Sequence, residues 1–250
     1  MNIISTTRFR AWLLVLGLVA MTSAIACEGG LGDDTEIRET SYPVGGAPTL
    51  QVEASNGYIN VVSGADGTIA VKAIIREPDD VDYEVTQIGD TISITADEKS
   101  DGLFNFGSSA GASIEIIAPS NTVLDLKSSN GRVEVRGIHQ SGSLKTSNGR
   151  IIAVDVIGEY QLDTSNGSTE FDGELTAGGN SDFDTSNGNI TIKLRGTPSV
   201  TLDASTSNGS VNSDMAITTE SFGDNHIKGK IGDGAAELRV RTSNGSIRVE

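Results

Sequence analysis

Four aspartates recur at positions where their carboxylates could act together. Asp163 and Asp184 occupy the same place in neighbouring copies of a repeated motif, and Asp182 and Asp203 share a place two residues earlier. Stacked like charges repel, and a cation such as Ca²⁺, which prefers several oxygen ligands, would relieve them. The same acids could supply the acid and base of glycoside cleavage. We favour a solvated acidic face relieved by Lys145 beside Asp163, so these acids are only a weak candidate metal site.

Other catalytic arrangements find little support in the composition. The chain has two histidines, His139 and His226, far apart in sequence, and one cysteine, so a His/Cys zinc site is excluded. We expect both histidines to lie in turns, and we expect no catalytic residue and no cofactor.

The single cysteine follows a targeting signal. Arg8 and Arg10 precede the apolar run 11–21, which is shorter than the about 20 residues needed to span a bilayer and is typical of a secretory signal. Ala24-Ile25-Ala26-Cys27 resembles a bacterial lipobox, in which the cysteine thiol carries diacylglycerol. The alternative is an ordinary A-x-A cleavage site with an accidental cysteine beside it. We expect Cys27 to be the lipid attachment site, because a secreted protein rarely keeps one unpaired cysteine.

The elements that position these residues fall into three predicted segments. Residues 1–26 form the signal peptide, 27–48 a flexible tether rich in Gly, Asp, Glu and Thr, and 49–250 a repeat domain. Tyr42 and Val44 leave an ordered N-terminal cap as the alternative to a tether. Within the repeat domain, residues 49–120 are less regular and 121–250 form regular coils. Residues 67–119 could be either coils or hairpins.

The repeat domain is built on the tetrapeptide Thr-Ser-Asn-Gly, which stands intact five times, with looser copies ending at Gly57 and Gly131. The glycines of the last six copies are separated by 18, 18, 21, 21 and 36 residues. A fixed period of this size is typical of a solenoid. We interpret the interval of 36 as two periods of 18, and the interval of 74 between Gly57 and Gly131 as a hidden continuation of the period. The chain would then end on a strand at an open edge.

Apolar and polar residues alternate on both sides of the motif. An apolar residue lies three positions before each Ser, as at Leu144 and Leu162, and Ile or Val often lies two positions after the Gly, as at Ile151. A period of 2 indicates β-strands with alternate residues facing a core. The predicted fold is all-β: a right-handed parallel β-solenoid with two short strands per coil of about 18–21 residues, stacked about 4.8 Å apart.

The tetrapeptide is predicted to form the corner of each coil. Gly adopts positive φ at no steric cost, and Asn tolerates left-handed backbone. Asparagines in register would bond amide to amide between coils. The direction in which the Thr faces is open, and we favour hydroxyls bonded within the structure over an exposed ice-binding array. The residues of this structural corner ladder are Asn56, Asn130, Asn148, Asn166, Asn187, Asn208 and Asn244, with Gly57, Gly131, Gly149, Gly167, Gly188, Gly209 and Gly245.

Composition excludes some classes of partner. Removing residues 1–26 takes away two of the 18 basic residues and none of the 34 acidic ones, which leaves a formal net charge of −18. Nucleic acid is therefore not an expected partner, since phosphate binding along a duplex needs a basic face. The one tryptophan, Trp12, lies in the signal. A deep, aromatic-lined carbohydrate groove is accordingly disfavoured.

Three features together resemble a widespread bacterial putative-adhesin family of unknown function. They are the repeated Ser-Asn-Gly flanked by alternating Val, Ile and Leu, the step Ala118-Pro119-Ser120-Asn121, and the closing run from Gly229 to Gly245. The resemblance covers Thr49 to Glu250. It implies a repeat-built β-solenoid and brings no catalytic residues.

The sequence therefore predicts a non-catalytic, extracytoplasmic lipoprotein, anchored to the cell membrane or the outer membrane through Cys27. Its adhesin-like domain would bind an envelope or surface partner. The alternatives are a polysaccharide-acting β-helix enzyme and a scaffold whose open end docks another envelope protein.

Overall fold

The structure, a computed structural model, describes residues 24–26, 34–99 and 110–250, and these form 22 β-strands and one 3₁₀ turn, Pro78–Asp80. In chain order the strands are β1 (Ala24–Ala26), β2 (Thr35–Pro43), β3 (Thr49–Asn56), β4 (Ile59–Gly64), β5 (Thr68–Arg76), β6 (Val81–Ile88), β7 (Thr91–Glu98), β8 (Gly111–Pro119), β9 (Val123–Asn130), β10 (Val133–Arg136), β11 (Gly142–Asn148), β12 (Ile151–Gly158), β13 (Tyr160–Asn166), β14 (Thr169–Leu175), β15 (Asn180–Asn187), β16 (Ile190–Leu194), β17 (Val200–Asn208), β18 (Val211–Ser213), β19 (Thr218–Gly223), β20 (His226–Ile231), β21 (Ala236–Asn244) and β22 (Ile247–Val249).

The strands form two 11-stranded sheets. Sheet A has the spatial order β1-β2-β5-β8-β4-β10-β12-β14-β16-β22-β18, and sheet B has the order β19-β20-β17-β21-β15-β13-β11-β9-β3-β7-β6. Within the described residues no helix has the length and hydrophobicity needed to cross a membrane.

A regular coil consists of one strand in sheet B, a Ser-Asn-Gly corner and one strand in sheet A. Neighbouring coils pair in parallel and in register, so that Leu144 lies beside Leu162 and Ile151 beside Thr169. The alternating apolar residues face inward and are buried between the sheets, while the residues between them face solvent. The all-β parallel solenoid with two strands per coil is confirmed.

An aromatic stack fills the middle of the core. Tyr160, Phe171 and Phe183 are almost fully buried, with ring centroids 5.9 Å apart for the first pair and 5.0 Å for the second. Burial of each ring contributes about 1.5–3 kcal/mol to folding. Tyr160 also donates its hydroxyl to the carbonyl of Ile138 at 3.3 Å, so the one polar atom of the stack has a partner.

The coils do not stack in chain order at the C-terminal end. The last coil, β21/β22, lies between β15/β16 and β17/β18, and β22 pairs in parallel with both β16 and β18. The interval of 36 residues between Gly209 and Gly245 therefore does not contain two regular coils. It contains the antiparallel hairpin β19–β20, which packs on the outer side of β17. The predicted open edge at the end of the chain is wrong, because β22 is an interior strand.

The N-terminal end departs from the predicted order as well. The first coil, β3/β4, has coil β7/β8 on one side and coil β9/β10 on the other. β5 pairs antiparallel with β8, and β6 forms a hairpin with β7. The hidden period predicted between Gly57 and Gly131 is therefore wrong. One parallel coil and two antiparallel strands occupy that stretch.

The predicted flexible tether is also wrong over its second half. Residues 35–43 form β2, which pairs antiparallel with β5 along nine residues. The physical reason is burial, because Tyr42 and Val44 pack into the core with relative exposures of 5% and 9%. Cys27 and most of the predicted signal peptide lie outside the described residues; β1, at residues 24–26, pairs antiparallel with β2.

Candidate functional site

The seven Ser-Asn-Gly corners stack into one continuous ridge along the solenoid, which we call the corner ridge. The Nδ2 of six of the seven asparagines donates to the Oδ1 of the asparagine in the next coil at 2.8–3.0 Å. In spatial order the donors run Asn208, Asn244, Asn187, Asn166, Asn148, Asn130 and Asn56. The structure therefore brings together all seven asparagines of the predicted ladder.

The ladder ends on a carboxylate. Asn56 donates to Oε2 of Glu98 at 3.1 Å, and Ser55 donates to Oδ1 of Asp97 at 2.8 Å. Both acids stand where coil β7/β8 would carry Ser and Asn, because Ala96 pairs with Ala54. A carboxylate only accepts hydrogen bonds when ionised, so the row of donors finishes there. Sequence reasoning missed Glu98, since its coil has no Ser-Asn-Gly to mark it.

The threonines of the motif face inward. Thr146, Thr164, Thr185, Thr206 and Thr242 are buried, and each hydroxyl donates to a motif glycine carbonyl in the adjacent coil at 2.9–3.1 Å. Ser128 takes this place in one coil, and its buried hydroxyl has no hydrogen-bond partner among the residues that the structure describes. The Thr column therefore ties coils together internally and presents no array to solvent.

The corner glycines allow the backbones of adjacent coils to approach closely, rather than providing left-handed turns. A Cβ on Gly149 would lie 2.6 Å from the carbonyl carbon of Gly131 and closer still to its oxygen, and the other corner glycines are crowded in the same way. Gly131, Gly149, Gly167 and Gly188 have no positive φ, and among the described non-glycine residues only Glu77 and Asp155 do. The predicted role of positive φ is wrong at these four glycines, because the stacked backbones leave no space for a side chain.

Strand β21, which carries Arg239, lies between β15 and β17, two of the strands that hold the candidate acids. Asp163 and Asp184 are neighbours in register, but Arg239 on β21 lies between Asp182 and Asp203 and pairs with both positions. Its guanidinium forms a bidentate ion pair with Asp182. The predicted stacking of Asp182 on Asp203 is wrong, because the last coil is inserted between their strands.

Arginines of the inserted coil offset part of the negative charge around Asp184. Burial, and then the charges of Asp182 and Asp163, raise the pKa of Asp184, whereas Arg241 and Arg239 lower it. Residues 34–99 and 110–250 contain no group of three or more His, Cys, Asp or Glu side chains arranged to hold a metal ion. The outer face of sheet B carries charges of both signs, and some of them are paired, as Arg239 is with Asp182 and Lys127 with Asp125.

A second charged feature lies on the corner ridge itself. Two adjacent coils carry the sequence Lys-[Ser/Thr]-Ser-Asn-Gly-Arg, at 127–132 and 145–150. Lys127 pairs in register with Lys145, and Arg132 and Arg150 directly precede the paired residues of β10 and β12. All four side chains are exposed. We call these four residues the basic corner; the sequence signal was available in the motif's flanking positions.

The family of the chain follows from the repeat domain. Residues 49–250 match the model of the family described as Toastrack DUF4097. The chain belongs to this family. Among curated proteins, none matches the chain.

Solved structures match this toastrack domain at low identity. A putative cell adhesion protein from Clostridium sporogenes is 16% identical, with 85% of this chain and 98% of that chain covered and a TM-score of 0.49. A putative adhesin from Bacteroides fragilis is 10% identical, covering 86% and 97%, with a TM-score of 0.37. A putative lipid binding protein from Parabacteroides distasonis is 13% identical, covering 86% and 97%, with a TM-score of 0.31.

The two histidines of the toastrack domain lie apart. His139 lies in the loop between β10 and β11, whereas His226 begins β20, so the predicted turn position is wrong for His226. His226 Nε2 is 2.7 Å from the hydroxyl of Ser221 across the hairpin β19–β20, and its Nδ1 is 3.4 Å from Oδ1 of Asn225. Because Ser221 and Asn225 are exposed on the hairpin, water is not excluded from this pair.

Proposed function

We propose that the protein is a non-catalytic, lipid-anchored envelope protein whose toastrack domain binds a surface or envelope partner. The observation that carries this proposal is the regular outer surface. Each coil buries its apolar and Thr columns and places Ser, Asn and charged side chains outside in straight rows. Such a surface is suited to display and contact rather than to enclosing a substrate.

The anchor part of the proposal rests on Cys27 and its place in the chain. A thiol carrying diacylglycerol at this position would leave residues 28–34 as the connection to β2, and seven residues reach at most about 25 Å when fully extended. The toastrack domain would therefore stand close to the membrane. Cleavage before Cys27 would also remove β1 and free the outer edge of β2.

Metabolic labelling with a tagged fatty acid tests the anchor. The wild-type protein should take up label and fractionate with membranes, whereas Cys27→Ala should take up none and be released. Equal labelling of the two proteins would refute lipid attachment at Cys27.

Cell adherence tests the binding role. Cells that produce the full chain should adhere to host-derived or abiotic surfaces more strongly than cells that produce Cys27→Ala, because only the former retain the domain at the envelope. Equal adherence on every surface tested, with equal amounts of protein made, would refute the role in surface attachment.

The glycan-cleaving alternative has one observation in its favour, the in-register pair of Asp163 and Asp184 with the raised pKa of Asp184. Retaining glycosidases place two carboxyl groups about 5–5.5 Å apart, and strands in register are about 4.8 Å apart. The pair lies on an outer sheet face beside Arg241 rather than in a cleft. Release of reducing sugar from envelope polysaccharide by the wild type but not by Asp184→Asn would establish this alternative.

A further inference from the structure

The basic corner is a local reversal of charge on a strongly acidic protein. The other five copies of the motif are flanked by the pairs Glu53/Tyr58, Asp163/Ser168, Asp184/Asn189, Ser205/Ser210 and Arg241/Ser246. None of these pairs is basic on both sides. Two successive coils that are basic on both sides therefore distinguish one short stretch of an otherwise uniform ridge.

Like charges lie next to each other in this stretch. Lys127 and Lys145 are in-register neighbours, where equal charges on adjacent strands destabilise a sheet. Lys127 has Asp125 as a partner at 3.3 Å, but in the described part of the chain Lys145 has no carboxylate within 4.0 Å, although Asp163 lies beside it in register. An anion bound at this position would relieve the repulsion.

The two arginines are held at the other side of the ridge. Arg132 is 3.1 Å from a carboxylate oxygen of Glu134 and lies over the ring of Tyr58 at 5.9 Å. Arg150 donates from Nε to the hydroxyl of Ser168 at 2.9 Å and, within the residues described, has no ion pair. These contacts leave guanidinium N–H groups of both arginines available to an acceptor.

Neutral donors lie between the lysines and the arginines. Each ladder asparagine uses one of its two Nδ2 hydrogens for the next coil, so Asn130 and Asn148 each retain a second, and both side chains are exposed. The hydroxyls of Ser129 and Ser147 are exposed beside them. Ammonium, guanidinium, amide and hydroxyl donors within two neighbouring coils of the ridge form a set suited to phosphate oxygens.

Acidic coils limit the size of the ligand. Glu53 is the in-register neighbour of Lys127, and Asp163 is the neighbour of Lys145, so negative charge bounds the patch on both sides. The basic stretch spans two neighbouring coils, whose strands lie about 5 Å apart. A long polyanion or a planar anionic membrane would meet these acids, whereas a compact group would not.

We propose that the basic corner binds a compact phosphate-bearing group, with Lys145 and Arg150 as its principal ligands and Lys127 and Arg132 beside them. The proposal rests on the binding role proposed above and names a partner chemistry for it. The phosphate is soluble or terminal on a larger partner, rather than part of a lipid surface.

Calorimetric titration of the purified protein in mild detergent with pyrophosphate tests the site. The variant Lys145→Met/Arg150→Met should bind at least tenfold more weakly than the wild type. The matched control is Arg76→Met/Lys230→Met, which removes one arginine and one lysine that have no ion pair in the described residues. Both lie outside the two coils of the basic corner, Arg76 on β5 and Lys230 on β20. This control should bind within twofold of the wild type.

Three results would overturn the site. They are equal binding by the wild type and the corner variant, equal loss in the control, and binding to phosphatidylglycerol vesicles without binding to pyrophosphate. Circular dichroism melting of both variants checks that each is folded. If the corner variant binds pyrophosphate normally while cells still adhere through the anchored protein, this inference fails and the proposed function stands.

Discussion

Replacing Gly149 with Ala tests why the coils can stack so closely. The added Cβ would meet the carbonyl group of Gly131, with the carbonyl carbon at 2.6 Å, and no flexible side chain is present there to move aside. The two coils must separate locally, which weakens three hydrogen bonds at 3.1, 3.0 and 2.8 Å: Gly131 N–H to Asn148 O, Thr146 hydroxyl to Gly131 O, and Asn148 Nδ2 to Asn130 Oδ1. At about 1 kcal/mol for each bond and about 1–3 kcal/mol for overpacking, the free energy of unfolding should fall by about 4–6 kcal/mol.

Thermal denaturation followed by circular dichroism measures this loss. For a domain of this size, the change corresponds to a decrease of about 10–20 °C in Tm. Gly45→Ala is the matched control, because Gly45 has no positive φ and its Cβ would make an ordinary contact, 3.5 Å from Asp90 Oδ2. The control should change stability by less than about 1 kcal/mol. A Gly149→Ala protein that melts within 2 °C of the wild type would show that close backbone approach is not the reason for the corner glycines.

Three further changes have defined outcomes. Thr164→Val should lower the free energy of unfolding by about 1 kcal/mol, because it removes a buried hydroxyl that donates to the Gly149 carbonyl. Ser128→Ala should be neutral or stabilising, because the Ser128 hydroxyl has no partner among the described residues. Urea denaturation measures both changes. Asn166→Ala removes two ladder bonds and Asn208→Ala one, so the first should cost about twice as much, and equal losses would contradict an additive ladder. The raised pKa of Asp184 means that the folded state binds its proton more tightly than the unfolded state does, so this residue lowers stability as pH rises. Asp184→Asn should therefore stabilise the protein at pH 7 and have little effect below about pH 3.9, as measured by melting across pH.

The regular coils were predictable because their signal is local. The alternation around Leu144 and Ile151 identifies strands, and identical spacing between corners predicts which residues pair. The asparagine ladder follows from the same register. Predicting the strands, their register and the ladder requires only the assumption that equal repeats stack in parallel.

The order of the coils was not predictable from the same pattern. Every repeat presents nearly the same edge to its neighbour. A direct pairing of β15 with β17 would therefore fit the sequence pattern equally well, but β21 lies between these strands and pairs with both. The placement of Arg239 between Asp182 and Asp203 depends on that order. Glu98 was missed because a carboxylate replaces the motif there, and β2 was missed because its outer residues are polar and only Tyr42 is buried within it.

The displaced order of the coils affects how this molecule can unfold and evolve. In most stacked-repeat proteins the terminal repeats are the first and last of the chain, so they can fray singly or be added by duplication. Here the outermost parallel coils are β7/β8 and β17/β18, and each is followed in the chain by a coil that lies further inside. Loosening the chain end at β22 would open a gap between two folded coils instead of shortening the stack. Because β22 pairs with β16 on one side and β18 on the other, a further coil has no free edge beside β22 on which to stack.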